Sequence, residues 1–221
     1  MIEALRDQRM RPVITATTTL ALAVGVFGIS FGVGAVSAGA SVAQACVISL
    51  LVFTGASQFS AVSVIGAGGT TGSALGGALL LAARNGVYGL TMARRLDGSV
   101  GRRLVAAQLT IDESTAMAAA QSDLDLQRAA FWITGVGVYI FWNLGTLLGA
   151  LAGSAIDPKT FGLDAAFPAA YVAMVWPLLR DRRGRLAAAC GAVICVSLIP
   201  FVPVGIPVLC AALAILVGLP R

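Results

Sequence analysis

Two long uncharged runs constrain this chain more than any other feature of its sequence. Thr15 to Ala38 and Ala129 to Ala152 are each 24 residues long and carry no charged side chain. A helix of about 20 apolar residues crosses the hydrocarbon core of a bilayer, whereas helices of soluble domains average about three turns. The sequence therefore predicts an all-α fold, a polytopic helical membrane protein.

Composition leads to the same class. Apolar residues make up 58 % of the 221 residues and charged residues 11 %, whereas about a quarter of the residues of a soluble domain are charged. A chain of this length has room for six to eight membrane segments, and its apolar runs predict about seven to eight within a single transmembrane domain over residues 1–221. The other expected segments are Ser41 to Ile65, Ser73 to Met92, Leu104 to Gln121, Phe161 to Leu179, Leu186 to Ile199 and Val204 to Leu219.

Positive charge is concentrated in short links between the apolar runs. The net charge is +5, and every basic residue except Lys159 is an arginine. Basic residues are enriched in the cytoplasmic loops of membrane proteins, and no nucleic-acid-binding motif accompanies them here. We expect a cytoplasmic leader at residues 1–12, arginine-rich links at residues 93–103 and 180–185, a surrounding lipid bilayer and no nucleic-acid partner.

The N-terminal half leaves two topologies open. If all three early segments cross, the 93–103 link lies outside with its four arginines, against the charge rule. Either one early segment enters and leaves on the same side, or Leu104 to Gln121 crosses and the rule is overridden. A weak similarity of Gly25 to Ala40 with Gly135 to Ile156 favours the second option, because it indicates two parallel repeats with interrupted helices.

A run of small and polar residues, Phe53 to Ser60, interrupts the second apolar segment. Unpaired Gln or Ser side chains are costly in hydrocarbon, so they face a partner or a water-filled cavity. We predict a helix break near Gly55, with Ser57 and Gln58 as candidate substrate-binding residues. On helical spacing Thr54 and Gln58 share a face. Helix packing alone is the alternative explanation.

The third segment is polar at its centre, where Arg84, Asn85 and Tyr88 occur. Arg84 lies too deep to reach a headgroup easily, so it pairs with a carboxylate, a backbone carbonyl or a ligand. All three residues are candidate substrate-binding residues. In the alternative interpretation Arg84 only neutralises a structural acid.

Asp112 and Glu113 allow two interpretations. Thr110 to Glu113 fits a capping box at the start of a surface helix. In a longer helix Gln108, Asp112 and Thr115 would instead share one face, which would bring a carboxylate into the membrane to carry a proton or to pair with Arg84. Both acids are candidate proton-coupling residues.

Glycine motifs occur in both long runs, with Gly28 and Gly32 in the first and Gly145 and Gly149 in the second. Such spacing allows two helices to approach closely, and we interpret it as helix packing. Asn143 lies beside the second motif and is a candidate donor to a substrate or to a neighbouring helix.

Residues for catalysis are scarce. The chain contains no histidine, and its four cysteines lie in apolar runs without CxxC spacing. We therefore expect no enzymatic activity, no metal site and no cofactor.

Several motifs together resemble the AzlC family, the large subunit of branched-chain amino acid exporters. The residues that carry this resemblance extend over nearly the whole chain. They are Gly28-Ile-Ser-Phe-Gly32, the run Leu51 to Phe59, Ala83-Arg84 followed by Tyr88-Gly-Leu90, Asp112-Glu113, Phe161-Gly-Leu-Asp164 and Phe167-Pro168.

The resemblance implies a multi-pass protein of the bacterial inner membrane that exports hydrophobic amino acids together with a small AzlD-type membrane subunit. We expect secondary-active transport. The alternative is a structural or assembly subunit that transports nothing. Family members commonly carry Asn and His around the arginine, where this chain has Ala82 and Asn85. A histidine relay is therefore excluded, and coupling to protons would need a carboxylate.

Overall fold

The computed structural model describes residues 8–155 and 175–218, together with Ala169 and Val172. These residues form helices and no strand, which confirms the all-α prediction. The helices are α1 (Arg11–Ser37), α2 (Val42–Val52), α3 (Ala56–Gly66), α4 (Thr71–Ala93), α5 (Val100–Gln108), α6 (Asp112–Ala119), α7 (Leu124–Ala155), α8 (Arg182–Leu198), α9 (Ile206–Ala211) and α10 (Ile215–Gly218).

Helices α1 and α7 form the central pair and run parallel. Met10 packs with Ala130 near their starts, and the hydroxyls of Thr17 and Thr134 are 2.9 Å apart further along. Near the other end Val33 lies against Gly153. Residue numbers of the contacting residues thus increase in the same direction along both helices, as expected for equivalent helices of two parallel repeats. The remainder of the second repeat lies partly outside the described residues, so the repeat itself stays a prediction.

Glycines allow this pair to pack backbone against backbone. A Cβ atom on Gly28 would lie 2.6 Å from the carbonyl oxygen of Trp142, a distance that real Cβ atoms essentially never show. On α7, Cβ atoms on Gly145 and Gly149 would collide with the backbone of α1. Small residues that permit such close approach are typical of membrane helix interfaces, so the packing interpretation of both motifs is confirmed.

The helices α1 and α7 begin at the same end of the bundle, which we call the arginine end. There Arg128 of α7 donates from Nε to the carbonyl oxygen of Arg95 over 2.7 Å, and its Nη2 contacts Asp97 at 2.8 Å. The Arg102 guanidinium lies 5.5 Å from the centre of the Trp132 ring. Since α4 ends just before Arg95, it runs antiparallel to α1.

Helices α2 and α3 form hairpin A, which enters and leaves at the opposite end. The hydroxyl of Ser41 starts α2 just after α1 has ended, in a capping box with Gln44. The hairpin reaches the middle of α7, where the ring centres of Phe53 and Tyr139 are 4.8 Å apart. It then returns, because Gly66 packs against Ala38, which follows the last residue of α1.

Helices α5 and α6 form hairpin B, which enters and leaves at the arginine end. Near its start Arg102 contacts the Trp132 ring. Its tip reaches the middle of the bundle, where Leu109 packs against Gly135. On the return Met117 packs against the cluster that contains Met10. The expectation that Leu104 to Gln121 crosses is therefore wrong, because the segment breaks between α5 and α6 and turns back.

The hairpins resolve the conflict between charge and topology. The 93–103 link lies at the arginine end together with the start of α1, so its four arginines no longer oppose the charge rule. Re-entry of one early segment was one of the two alternatives left open, and two segments re-enter, from opposite ends. In the described residues 8–155, α1, α4 and α7 run the length of the bundle. Seven to eight segments are not confirmed.

The exterior of the bundle is apolar. Two of the described helices, α1 and α7, are long and apolar enough to cross a membrane. Large apolar side chains on α1, α2, α4 and α7 are more than half exposed, which fits a lipid environment rather than water. They include Val26, Leu51, Leu79, Leu90 and Leu148.

Candidate functional site

The tips of the two hairpins meet at a cavity of about 270 Å³ in the centre of the bundle. Its polar lining consists of Thr54 from hairpin A, Arg84 and Asn85 from α4, and Asp112 and Glu113 from hairpin B. Its apolar lining comes mainly from α1 and α7 and includes Leu20, Val24, Phe27, Val138 and Trp142.

The tip of hairpin A is the helix break predicted near Gly55. Phe53 adopts a left-handed conformation with φ 32° and Gly55 has φ 51°, so the chain cannot continue as a helix. The Gln58 Oε1 atom accepts from the backbone N–H groups of Thr54 and Gly55 over 3.3 and 3.1 Å, and its Nε2 donates to the Ile48 carbonyl over 3.2 Å. Gln58 is 2 % exposed. Its amide is therefore satisfied by its own hairpin.

Ser57 also serves this tip. It is buried, and its hydroxyl hydrogen-bonds with the hydroxyl of Thr54. Thr54 itself lies in the break, before the first residue of α3, so the expectation that Thr54 and Gln58 share a helical face is wrong.

The tip of hairpin B begins α6 at Asp112, close to the predicted position. The predicted capping box is not formed. Thr110 donates its hydroxyl proton to the Ala106 carbonyl over 2.7 Å, while the Ser114 hydroxyl accepts from the Ile111 N–H over 3.1 Å. The break also ends the proposed longer helix with one continuous polar face. Because Ser114 is fully buried and α6 packs on α7, α6 is not a surface helix.

An ion pair joins α4 to hairpin B inside the cavity. The Nη1 atom of Arg84 is 2.6 Å from Oδ2 of Asp112, and the two side chains are 40 % and 41 % exposed. Tyr88, one turn after Arg84, also interacts with Asp112. Of the three partners expected for Arg84, a carboxylate, a backbone carbonyl or a ligand, the structure shows the carboxylate, and the pair is partly exposed rather than sealed in a core.

Two helix N-termini face the cavity. Ala56 and Asp112 are the first residues of α3 and α6, and both line it. The first N–H groups of a helix have no partner within the helix, and the helix dipole makes this end partly positive. The partly positive start of α6 stabilises the carboxylates of Asp112 and Glu113. The partly positive start of α3 would likewise favour a negatively charged group beside Ala56.

The hairpin tips are also hydrogen-bonded to each other. Gln108, the last residue of α5, donates from Nε2 to the carbonyl oxygens of Leu50 and Leu51 over 2.9 and 3.2 Å. The Tyr139 hydroxyl donates to the Leu50 oxygen over 3.0 Å. These carbonyls belong to the last turn of α2, which leaves them without helical partners. No local pattern indicated these contacts, because they depend on two hairpins meeting.

The cavity brings together four of the eight candidate site residues. Arg84, Asn85, Asp112 and Glu113 line it, whereas Ser57, Gln58, Tyr88 and Asn143 do not. The Asn143 side chain donates to the carbonyl of Tyr139 on its own helix over 2.8 Å. Sequence reasoning missed Thr54 and Trp142 as lining residues. An aromatic side chain beside a glycine motif was the available signal for Trp142.

A match to a known protein family identifies the family of this chain. The model of the AzlC protein family matches residues 19–156. The chain belongs to the AzlC family. The matched region contains α1 except for its first two turns, together with both hairpins, α4 and α7. The whole cavity therefore lies within it.

Relatives of this AzlC chain are membrane proteins. An uncharacterized membrane protein of Helicobacter pylori is 25 % identical over 187 residues, which cover 82 % of each chain. The branched-chain amino acid transport protein AzlC of Bacillus subtilis is 26 % identical over 148 residues, 66 % of this chain and 58 % of that protein. No solved structure matches the chain. Family and relatives support a transport role in a membrane.

Proposed function

We propose that this AzlC chain is a secondary-active exporter of branched-chain or other hydrophobic amino acids in the bacterial inner membrane. It works with a small AzlD-type membrane subunit, and its N-terminus and arginine end lie in the cytoplasm. The observation that carries the proposal is the cavity, in which an accessible ion pair stands beside an apolar wall at the meeting point of two hairpins.

The cavity matches the chemistry of such a substrate. An amino acid needs donors for its carboxylate, an acceptor for its ammonium group and an apolar pocket for its side chain. Arg84 and the start of α3 can meet the carboxylate, and Asp112 or Glu113 the ammonium group. A volume of about 270 Å³ lies just below the usual range of ligand pockets, which favours a small molecule.

The hairpins supply a route for alternating access. Hairpin A lies between the cavity and one end of the bundle, and hairpin B lies between the cavity and the arginine end. Movement of one hairpin at a time would open the cavity to one side only, the requirement for a secondary transporter. The arginine end is assigned to the cytoplasm because basic residues accumulate there.

We assign the coupling ion to the acids of hairpin B. The sequence contains no histidine and no phosphate-binding loop, so a histidine relay and direct use of ATP are both excluded for this chain. Asp112 and Glu113 are then the carboxylates that can carry a proton within the cavity. The chain acts as a transporter and not as an enzyme.

Labelled leucine exchange in proteoliposomes that contain the chain and its small subunit tests this function. The unmodified protein is expected to accumulate leucine against a pool of unlabelled leucine, and Arg84→Gln to lose this activity. Arg94→Gln is the matched control, because Arg94 is exposed in the link after α4. No exchange of any hydrophobic amino acid by a folded complex would contradict the proposal.

An assembly subunit is the rival function, and the same variants separate the two. If the chain only holds a complex together, Arg84→Ala and Gln58→Ala should prevent co-purification with the small subunit. The transporter proposal expects Arg84→Ala to co-purify at the level of the unmodified protein and to transport nothing.

A further inference from the structure

We propose that the transported amino acid inserts into the Arg84–Asp112 ion pair. Its carboxylate takes the place of Asp112 on the guanidinium, and its ammonium group takes the place of Arg84 on the Asp112 carboxylate. This inference rests on the proposed transport function, and it separates the roles of Asp112 and Glu113.

The geometry of the pair favours a ligand-exchange site over a structural bridge. The pair links α4 to the tip of hairpin B, both residues line the cavity, and their side chains are 40 % and 41 % exposed. A second ion pair, between Arg128 of α7 and Asp97 of the link after α4, lies at the arginine end outside the cavity. There Arg128 also donates to the backbone carbonyl of Arg95. Arg84 has no such backbone anchor among the described residues, so its ion pair with Asp112 can be exchanged for one with a ligand.

Charge balance explains why a zwitterion should enter. The charged or titratable groups at the pair are Arg84 and Tyr88 from α4 and Asp112 and Glu113 from α6. Helices α1, α3 and α7 present uncharged side chains to the cavity. Separation of the pair without a ligand would leave two unpaired charges inside a membrane-embedded bundle, which is costly. An inserted amino acid keeps both charges paired and leaves the net charge of the site unchanged.

The surroundings also orient the ligand. The N-terminus of α3 at Ala56 favours an anion on the hairpin A side of the cavity, where the substrate carboxylate can join Arg84. The side chain then faces the apolar wall of Leu20, Phe27 and Trp142.

Glu113 keeps a separate role. In the described residues no cation lies within ion-pair distance of its carboxylate, although it lines the same cavity as Asp112. A carboxylate that is not needed to balance Arg84 can gain and lose a proton without breaking the pair. Glu113 is therefore the proton carrier, and Asp112 binds the substrate.

Competition against labelled leucine for binding to the purified complex tests this insertion, because binding can be measured in variants that no longer exchange leucine. The probes are 4-methylpentanoate, which lacks the ammonium group of leucine, and 3-methylbutylamine, which lacks the carboxylate. In the unmodified protein each should compete at least about tenfold more weakly than leucine, because each leaves one charge of the separated pair unpaired.

Single variants should reverse this preference in opposite directions. Asp112→Asn leaves Arg84 unbalanced and is expected to improve competition by 4-methylpentanoate relative to 3-methylbutylamine by about tenfold or more. Arg84→Gln is expected to do the reverse. The double variant Arg84→Gln/Asp112→Asn removes both charges, so it should fold even where a single variant does not, and the two analogues should then compete equally.

Two outcomes overturn the inference. One is an unmodified protein in which either analogue competes as well as leucine. The other is a double variant that still discriminates between the analogues as the unmodified protein does. An unmodified protein that exchanges no amino acid overturns the proposed function as well, so the two failures are distinguishable.

Discussion

The two hairpin tips differ in how their polar groups are satisfied. Polar groups of hairpin A are satisfied within the hairpin, because the buried amide of Gln58 bonds to backbone groups in the break and in α2 before it. Hairpin B brings two acids to the cavity, and Asp112 relies on Arg84 from α4. One tip therefore satisfies its polar groups by hydrogen bonds within its own hairpin, whereas the other carries a charged group whose partner a ligand can replace.

Loss of Gln58 should have the largest effect on stability. Gln58→Leu leaves two N–H groups and one carbonyl without their partner, and we expect a loss of about 3 kcal/mol from the free energy of unfolding. Thermal unfolding of the purified complex measures this change. Gln44→Leu is the matched control, because Gln44 caps α2 at a surface position and should cost about 1 kcal/mol. Equal losses would show that the buried amide of Gln58 stabilises the protein no more than an exposed helix cap does.

Arg84→Gln should come next. It leaves Asp112 unpaired in the cavity. Exposed pairs contribute up to about 1 kcal/mol and breaking a buried pair costs about 3 kcal/mol or more, so for this partly exposed pair we expect a loss of about 2 kcal/mol together with lost leucine exchange. The second change Asp112→Asn should recover the stability and leave exchange absent. Failure to recover the stability, or recovery of exchange, would contradict the role of the pair. The control Arg94→Gln should change both quantities little.

Removal of the contact between the tips should have a smaller effect. Gln108→Leu leaves two carbonyls of α2 without that donor, and one of them keeps its bond to Tyr139. We expect a loss of about 1 kcal/mol in thermal unfolding. Gln121→Leu breaks a bond within one hairpin and serves as the control. A Gln108→Leu loss as large as that of Gln58→Leu would indicate that the tips form one rigid unit.

Glu113→Gln should change stability least, by about 0.5 kcal/mol or less, because its carboxylate has no ion pair in the described residues. Leucine exchange should persist, while accumulation driven by a pH gradient should be lost. Asp125→Asn, a change at a side chain that is 93 % exposed, is the control. Gradient-driven accumulation by Glu113→Gln would assign the proton elsewhere.

The sequence allowed the long helices, the break near Gly55 and the carboxylate partner of Arg84 to be anticipated. These features depend on apolar length, on local backbone preference and on the cost of a buried charge. The direction of the hairpins could not be anticipated, since a short apolar helix has the same hydropathy whether the chain continues or turns back. The Gln108 contact to Leu50 was equally hidden, because 57 or more residues separate its partners.

The two hairpins enter the bundle from opposite ends, and this arrangement can be tested directly. Single cysteines in a variant without the four native cysteines test it, with a membrane-impermeant thiol reagent applied to each face of the membrane. Cysteines at Ser99 and Ser122 flank hairpin B, and cysteines at Ser37 and Ala67 flank hairpin A; all four positions are exposed. Ser99 and Ser122 should react from the cytoplasm, and Ser37 and Ala67 from the other face. Reaction of either flanking pair from opposite faces would contradict the account.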